Sequence, residues 1–208
     1  MRRVWVDPAA PQRDAIEEAA KWILAGRVVA IPTDTLYGLA VDPFDAAAVD
    51  ALFAAKDRPV ERAVPLIASD RAQVETWIGS LSPMAARLAE RGWPGPLTLV
   101  VPAPRALAAG ITGGSGTVGV RVPQHDVARA IARSAGRPIT ATSANVSGEP
   151  ATDDPDRVER TLGDRIEMLI DVGRTAGGPP STIVDVTGEA PRLVRAGAVA
   201  WDEIQRWL

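Results

Sequence analysis

Short apolar runs rich in β-branched residues recur along the chain, and amphipathic stretches or turn residues separate them. This alternation limits the fold more than any other feature. RVVAIP (27–32), VPLIA (64–68), LTLVVP (97–102), TVGVRVP (117–123), PITATS (138–143), IEMLID, STIVDVT and RLVR read as strands. Between them lie helical patterns with their own start and stop signals. Asp14-Ala-Ile-Glu17 reads as a capping box ahead of Ile16, Ala19, Ala20, Ile23 and Leu24, with Gly26 as terminator. Asp45 opens a helix that buries Val49, Leu52 and Phe53, and Ser69 or Asp70 opens one toward Trp77. Ser82-Pro83 starts a helix closed by Gly92. DVARAIARSAG, DRVERTLGDR and Trp201–Leu208 complete the set. Strands and helices without a strict βαβ rhythm predict one α/β domain over 1–208 with a partly antiparallel sheet.

Composition removes several chemistries. The 208 residues are 46% hydrophobic and 24% charged with a net charge of −3, which excludes wholesale disorder and tight nonspecific nucleic-acid binding by the whole surface. No cysteine is present, so disulfides, thiol nucleophiles and thiolate metal sites are excluded. A single histidine, His125, rules out paired-histidine ligation and reads as a capping or surface residue. Any metal is then a hard cation held by oxygen, which points to Mg²⁺ arriving with a phosphorylated substrate and not to a protein cage. No run of eighteen apolar residues occurs, and Asp7 and Pro8 interrupt the start, so neither a membrane span nor a signal peptide is expected. The expected location is the cytoplasm.

Two motifs are decoys. Gly114-Ser-Gly116-Thr-Val-Gly119 fits G-x-G-x-x-G but leads into a strand, whereas a dinucleotide fingerprint must open a helix. Asn145-Val-Ser147 matches a glycosylation sequon with no secretory context.

Four segments carry polar residues of a common kind. In Pro32–Leu39, Thr33 and Thr35 point to one face of an extended segment and Asp34 to the other, which makes either a capped turn or a hydroxyl pair for a small polar substrate. Lys56-Asp-Arg58-Pro-Val-Glu-Arg62 holds three cations in seven residues, a solvated loop or a polyphosphate clamp. Lys56 is one of only two lysines in a chain that otherwise uses arginine. Thr140–Asn145 places Ser143 and Asn145 on one face at a strand end. Ser181–Asp185 and Arg195 lie on the last strands, and Arg121 projects from a strand, where a cation needs a ligand or a carboxylate.

PTDTLYGL, KxRP, RVP, TSANxSG, STIVD and LVRAG, in that order from about Gly26 to Gly197, resemble the YrdC-like threonylcarbamoyl-AMP synthases. The resemblance implies a twisted open sheet of mixed strand direction with flanking helices and a basic concave face, the motif-bearing core covering 12–200. It implies an enzyme that joins L-threonine, bicarbonate and ATP into threonylcarbamoyl-adenylate and pyrophosphate, the first step of N6-threonylcarbamoyladenosine formation in tRNA. A downstream transferase would then carry the group to tRNA. Residue by residue, Lys56, Arg58, Ser143 and Asn145 match catalytic positions. Arg62, Thr117 and Arg195 join those four on the ATP side. Thr35, Arg121, Ala141 (through its backbone) and Ser181 match the L-threonine side, with Arg121 facing the carboxylate.

Ala63 replaces a proline common in the family's KxRP stretch, Ile67 stands where the longer relatives carry histidine, and with the sequence running to Leu208 the extra C-terminal domain of those relatives is not expected. Two other readings stay open: an RNA binder using the basic concave face, and a carbamoyl-transfer accessory module. The Gly-, Pro- and Asp-rich loop 147–156 is expected to act as a lid.

Overall fold

The computed structural model describes residues 1–57 and 63–208. Eleven strands among them form two open mixed sheets. Their ranges are β1 (Arg2–Trp5), β2 (Val29–Ile31), β3 (Gly38–Ala40), β4 (Leu66–Ile67), β5 (Leu97–Pro102), β6 (Thr117–Arg121), β7 (Ile139–Thr140), β8 (Thr142–Ser143), β9 (Met168–Asp171), β10 (Thr182–Asp185) and β11 (Arg192–Arg195). The helices are α1 (Arg13–Leu24), α2 (Ala46–Ala55), α3 (Arg71–Trp77), α4 (Pro83–Gly92), α5 (Ala109–Thr112), α6 (Asp126–Ser134), α7 (Pro155–Leu162) and α8 (Trp201–Gln205).

One sheet runs β1-β9-β2-β3-β8 and the other β11-β10-β5-β6-β4-β7. In the first, β1, β9 and β2 are parallel, β3 runs antiparallel to β2, and β8 runs antiparallel to β3. The second alternates between antiparallel and parallel neighbours. The strand expected over 138–143 is in fact two strands in two sheets. Ile139 and Thr140 pair with β4, whereas Thr142 and Ser143 pair with β3. The break falls at Ala141, whose N–H donates to Pro65 O at 2.9 Å. Thr140, fully buried, stitches the seam: its N–H donates to Val41 O at 3.1 Å, and its hydroxyl accepts from Val41 N at 2.9 Å. This seam is where the polar segments meet.

Local signals account for most helices. Asp45 accepts from Ala47 N and Ala48 N, Asp70 accepts from Gln73 N, and Ser82 accepts from Ala85 N. At the start of α1 the expected capping box is absent. Gln12 is the N-cap and makes no side-chain cap, and Arg13 binds Glu17 at 2.6 Å instead. Asp14 lies inside the first turn, where its charge favours the helix dipole. Ala15, Ile16, Ala19, Ala20 and Ile23 are buried, but Leu24 at the helix end is exposed. Gly26 adopts φ +77°, the left-handed conformation that stops the helix. β1, β3 and α5 are additions that the periodicity did not mark.

Arg3 on β1 anchors one corner of the site. Its guanidinium meets the buried Asp171 carboxylate at 2.7 Å, along with Asp156 and Glu159. Asp171 in turn accepts from Gly173 N at 2.7 Å, and Gly173 O accepts from the Tyr37 hydroxyl at 2.7 Å.

Candidate functional site

The turn after β2 builds one wall. Thr33 donates its hydroxyl proton to Leu36 O at 2.7 Å, and Thr35 O accepts from Thr175 Oγ1 at 2.7 Å and from Gly177 N at 2.9 Å. These bonds hold the Thr33 and Thr35 hydroxyl oxygens 3.3 Å apart on one side of the turn. Tyr37 is wholly buried, and burial pushes its phenol well above the usual tyrosine range, so it remains a protonated donor.

A cavity of about 90 Å³ opens against this wall. Thr33, Thr35, Arg121, Ala141, Ser143 and Ser181 are among its lining residues. A second cavity, about 360 Å³, is lined by Pro65, Thr98, Gly119, Ser143, Ile183 and Arg195 among others. Ala141 and Ser143 border both, so the seam between the sheets divides a small polar chamber from a larger cleft. The small one has room for one compact polar molecule and the large one for a bulkier partner.

Two arginines supply the positive charge. Arg121 on β6 is 7% exposed and meets Asp34, Nη1 to Oδ1 at 2.9 Å. Burial pushes the Arg121 pKa down and Asp34 raises it again; the guanidinium remains cationic. Arg195 donates to Ser181 O at 2.8 Å and Ser181 Oγ at 3.1 Å, and the Ser181 hydroxyl lies 2.9 Å from that of Thr98. Burial, and then the neighbouring Arg121, lower the Arg195 pKa. Ile67 on β4 is the backbone register partner of Arg121 and is apolar and buried.

The structure brings some of the sequence-expected residues together and not others. Thr35, Arg121, Ala141 and Ser181 all line the small chamber. Arg195 lines the large cleft and Ser143 lines both. Lys56 and Asn145 line neither. Lys56 is 2% exposed, and its ammonium donates to Ser143 O, to Asn145 O at 2.8 Å and to Asn145 Oδ1 at 3.4 Å. The Asn145 amide nitrogen donates to Val146 O and Glu149 O. Both side chains brace the loop that carries Ser143. Thr117 begins β6, with its hydroxyl 3.0 Å from that of Ser115, and borders neither cavity. Arg58 and Arg62 lie outside the described residues.

Loop 147–156 is fastened to the body: Ser147 N donates to Lys56 O, Thr152 O accepts from Tyr37 N, and Asp153 O accepts from Thr175 N. Those bonds oppose its swinging as one flap. Gly114 and Gly116 turn the chain into β6 and not into a helix, as the decoy reading requires. His125 is the N-cap residue of α6 but makes no side-chain cap, and burial lowers its pKa. Asp34, Thr98 and Gly119 were not expected at the site. Thr98 carried a usable signal, a hydroxyl inside the apolar strand LTLVVP.

The Sua5/YciO/YrdC family model, described as Telomere recombination, matches residues 21–197. The threonylcarbamoyl-AMP synthase of Pyrococcus abyssi is 39% identical over 199 residues, covering 93% of this chain and 58% of that protein. The protein of the same name from Thiobacillus denitrificans is 38% identical over 172 residues, covering 82% of this chain and 91% of its own. The crystal structure of P. abyssi Sua5 complexed with L-threonine superposes with a TM-score of 0.95 at 36% identity, covering all of this chain and 61% of that one. The chain belongs to the Sua5/YciO/YrdC family. It spans little more than half the length of the P. abyssi relative. Among the described residues no helix is long and apolar enough to cross a membrane.

Proposed function

We propose that this chain is a threonylcarbamoyl-AMP synthase, a nucleotidyl transferase that converts L-threonine, bicarbonate and ATP to L-threonylcarbamoyladenylate and pyrophosphate. The observation that carries the reading is the small chamber, because the four residues assigned to L-threonine converge there, beside a cleft of nucleotide dimensions. Relatives that bear this name, and a relative complexed with L-threonine, support it.

In this reading Arg121 receives the threonine carboxylate, and Thr35 and Ser181 face its hydroxyl. The amine then points to Ala141 and Ser143 at the junction. Bicarbonate loses hydroxide to give CO₂, the unprotonated amine forms a C–N bond with that carbon as one C–O π bond opens, and the proton the amine sheds joins the hydroxide as water. A carbamate oxygen next attacks the α-phosphorus of ATP in the larger cleft, the bond to the bridging oxygen breaks, and pyrophosphate leaves. No protein nucleophile is needed, so positioning and charge compensation by Arg195 and the Ser143 segment are what the chain contributes. Mg²⁺ enters as part of the ATP substrate. The product would pass to a transferase acting on tRNA in the cytoplasm.

Pyrophosphate release that requires all three substrates is the expected result, and release from ATP without threonine would refute the assignment. Gly119 gives a second check. A Cβ there would sit 3.1 Å from Thr98 Cγ2 and 3.7 Å from Pro65 Cβ, on the floor of the large cleft. Gly119→Val is expected to raise the KM for ATP by about tenfold, equivalent to ~1.4 kcal/mol. Threonine affinity should change little, and an ATP KM equal to the parent's would place the nucleotide elsewhere.

A further inference from the structure

We infer that Asp34 is a positioning residue for Arg121, holding the guanidinium so that its donors face the small chamber. The inference rests on the proposed reading of Arg121 as the carboxylate receptor. Arg121 is more than nine-tenths buried, yet its side chain makes no hydrogen bond to any described residue. Among the described residues its side-chain polar contact is the ion pair to Asp34, and that contact lies off the hydrogen-bond axis, leaving both Nη1 and Asp34 Oδ1 without a directed partner there. The charge is therefore compensated while the directional donors stay uncommitted. A buried, compensated and uncommitted guanidinium suits the planar fork of an incoming carboxylate.

Asp34 lines neither cavity, whereas Thr33, Thr35 and Arg121 line the small chamber. Its other oxygen accepts from Gln124 N at 3.4 Å, which ties the turn after β2 to the chain just beyond β6. Asp34 thus meets Arg121 without itself lining the chamber. Arg121 lies close enough to Arg195 to lower that residue's pKa, so without Asp34 the two neighbouring cations would be less compensated.

Two roles for Asp34 predict opposite signs. If it were only a competing acceptor, neutralising it would free Arg121 and tighten carboxylate binding. If it positions Arg121, the neutral variant lets the guanidinium drift, and a shift of about 1 Å can cost up to ~10²-fold. The test is calorimetric titration of the full chain with L-threonine and with L-threonine amide, which lacks the carboxylate. In the parent the acid should bind tighter than the amide. In D34N that preference is expected to shrink by about tenfold or more, with amide binding nearly unchanged. A general structural defect would weaken both ligands alike.

R121M separates the two layers. It should abolish the preference altogether, and if it does not, the Arg121 reading fails first. D34E keeps the compensating charge, and so protects the fold, while moving the carboxylate by one methylene. Its preference is expected to fall by about threefold. An unchanged or increased preference in folded D34N or D34E, alongside a collapsed one in R121M, overturns the inference and leaves the reading of Arg121 standing.

Discussion

Replacing Lys56 by methionine is expected to lower turnover about 10²-fold and to lower the melting temperature at the same time. The double effect follows from where the ammonium sits. It is buried and bonded to the main-chain oxygens of Ser143 and Asn145 and to the Asn145 side chain. Methionine fills the same space with no donor, so two carbonyls lose a buried partner at about 1–3 kcal/mol each. Ser143 borders both the chamber and the cleft, so slack in its loop reaches the reacting groups directly. A direct phosphate clamp, the role the resemblance implies, predicts another outcome: turnover falls while the melting temperature holds. Thermal melting beside a pyrophosphate-release assay distinguishes the two. Lys56→Arg should not rescue, since a planar guanidinium cannot converge on acceptors arranged around a compact ammonium.

What could be read from the sequence was whatever is decided locally. Asp45, Asp70 and Ser82 cap their helices because a side-chain oxygen two or three residues from a free N–H needs nothing from the rest of the chain. The same local reasoning misjudged Asp14, because Gln12 and Arg13 already place the chain in the first turn. β1 and β3 are four- and three-residue strands fixed by their partners, the distant β9 for one and β2 with the distant β8 for the other, so their own periodicity is too short to mark them. The break at Ala141 is likewise set by Pro65 and Val41, not by any turn residue within TATSA. At the site, residue chemistry alone led only to the statement that a cation on a strand needs a ligand or a carboxylate. The carboxylate is Asp34, 87 positions earlier, and no pattern in the sequence pairs them. Motif order across the whole chain brought Thr35, Arg121, Ala141 and Ser181 together before any geometry was known. The strand ends then explain why they converge.

Gly197→Ala should be the most damaging single-methyl change in the cleft region. A Cβ at Gly197 would lie 2.2 Å from Pro180 O, 2.5 Å from the Ser181 carbonyl carbon and 2.5 Å from Thr182 N. All three are backbone atoms, so no side-chain rotation relieves the overlap. The close approach is held by Ala198 N donating to Pro180 O at 2.9 Å, and it presses the chain after β11 onto the chain entering β10. To admit the methyl group, one of these segments must move by more than half an ångström. Overpacking of this kind costs about 1–3 kcal/mol where side chains can adjust, and more where only backbone can. The segment that moves carries Ser181, whose carbonyl and hydroxyl receive Arg195 and whose hydroxyl meets Thr98. Loss of that geometry should separate Arg195 from the chamber wall and reduce turnover together with stability. Gly188→Ala is the matched control, since a Cβ there meets only Ala190 O at 3.8 Å, and it should leave both measurements near the parent. Equal melting temperatures and equal pyrophosphate release for the two variants would mean that the cleft does not depend on this backbone contact.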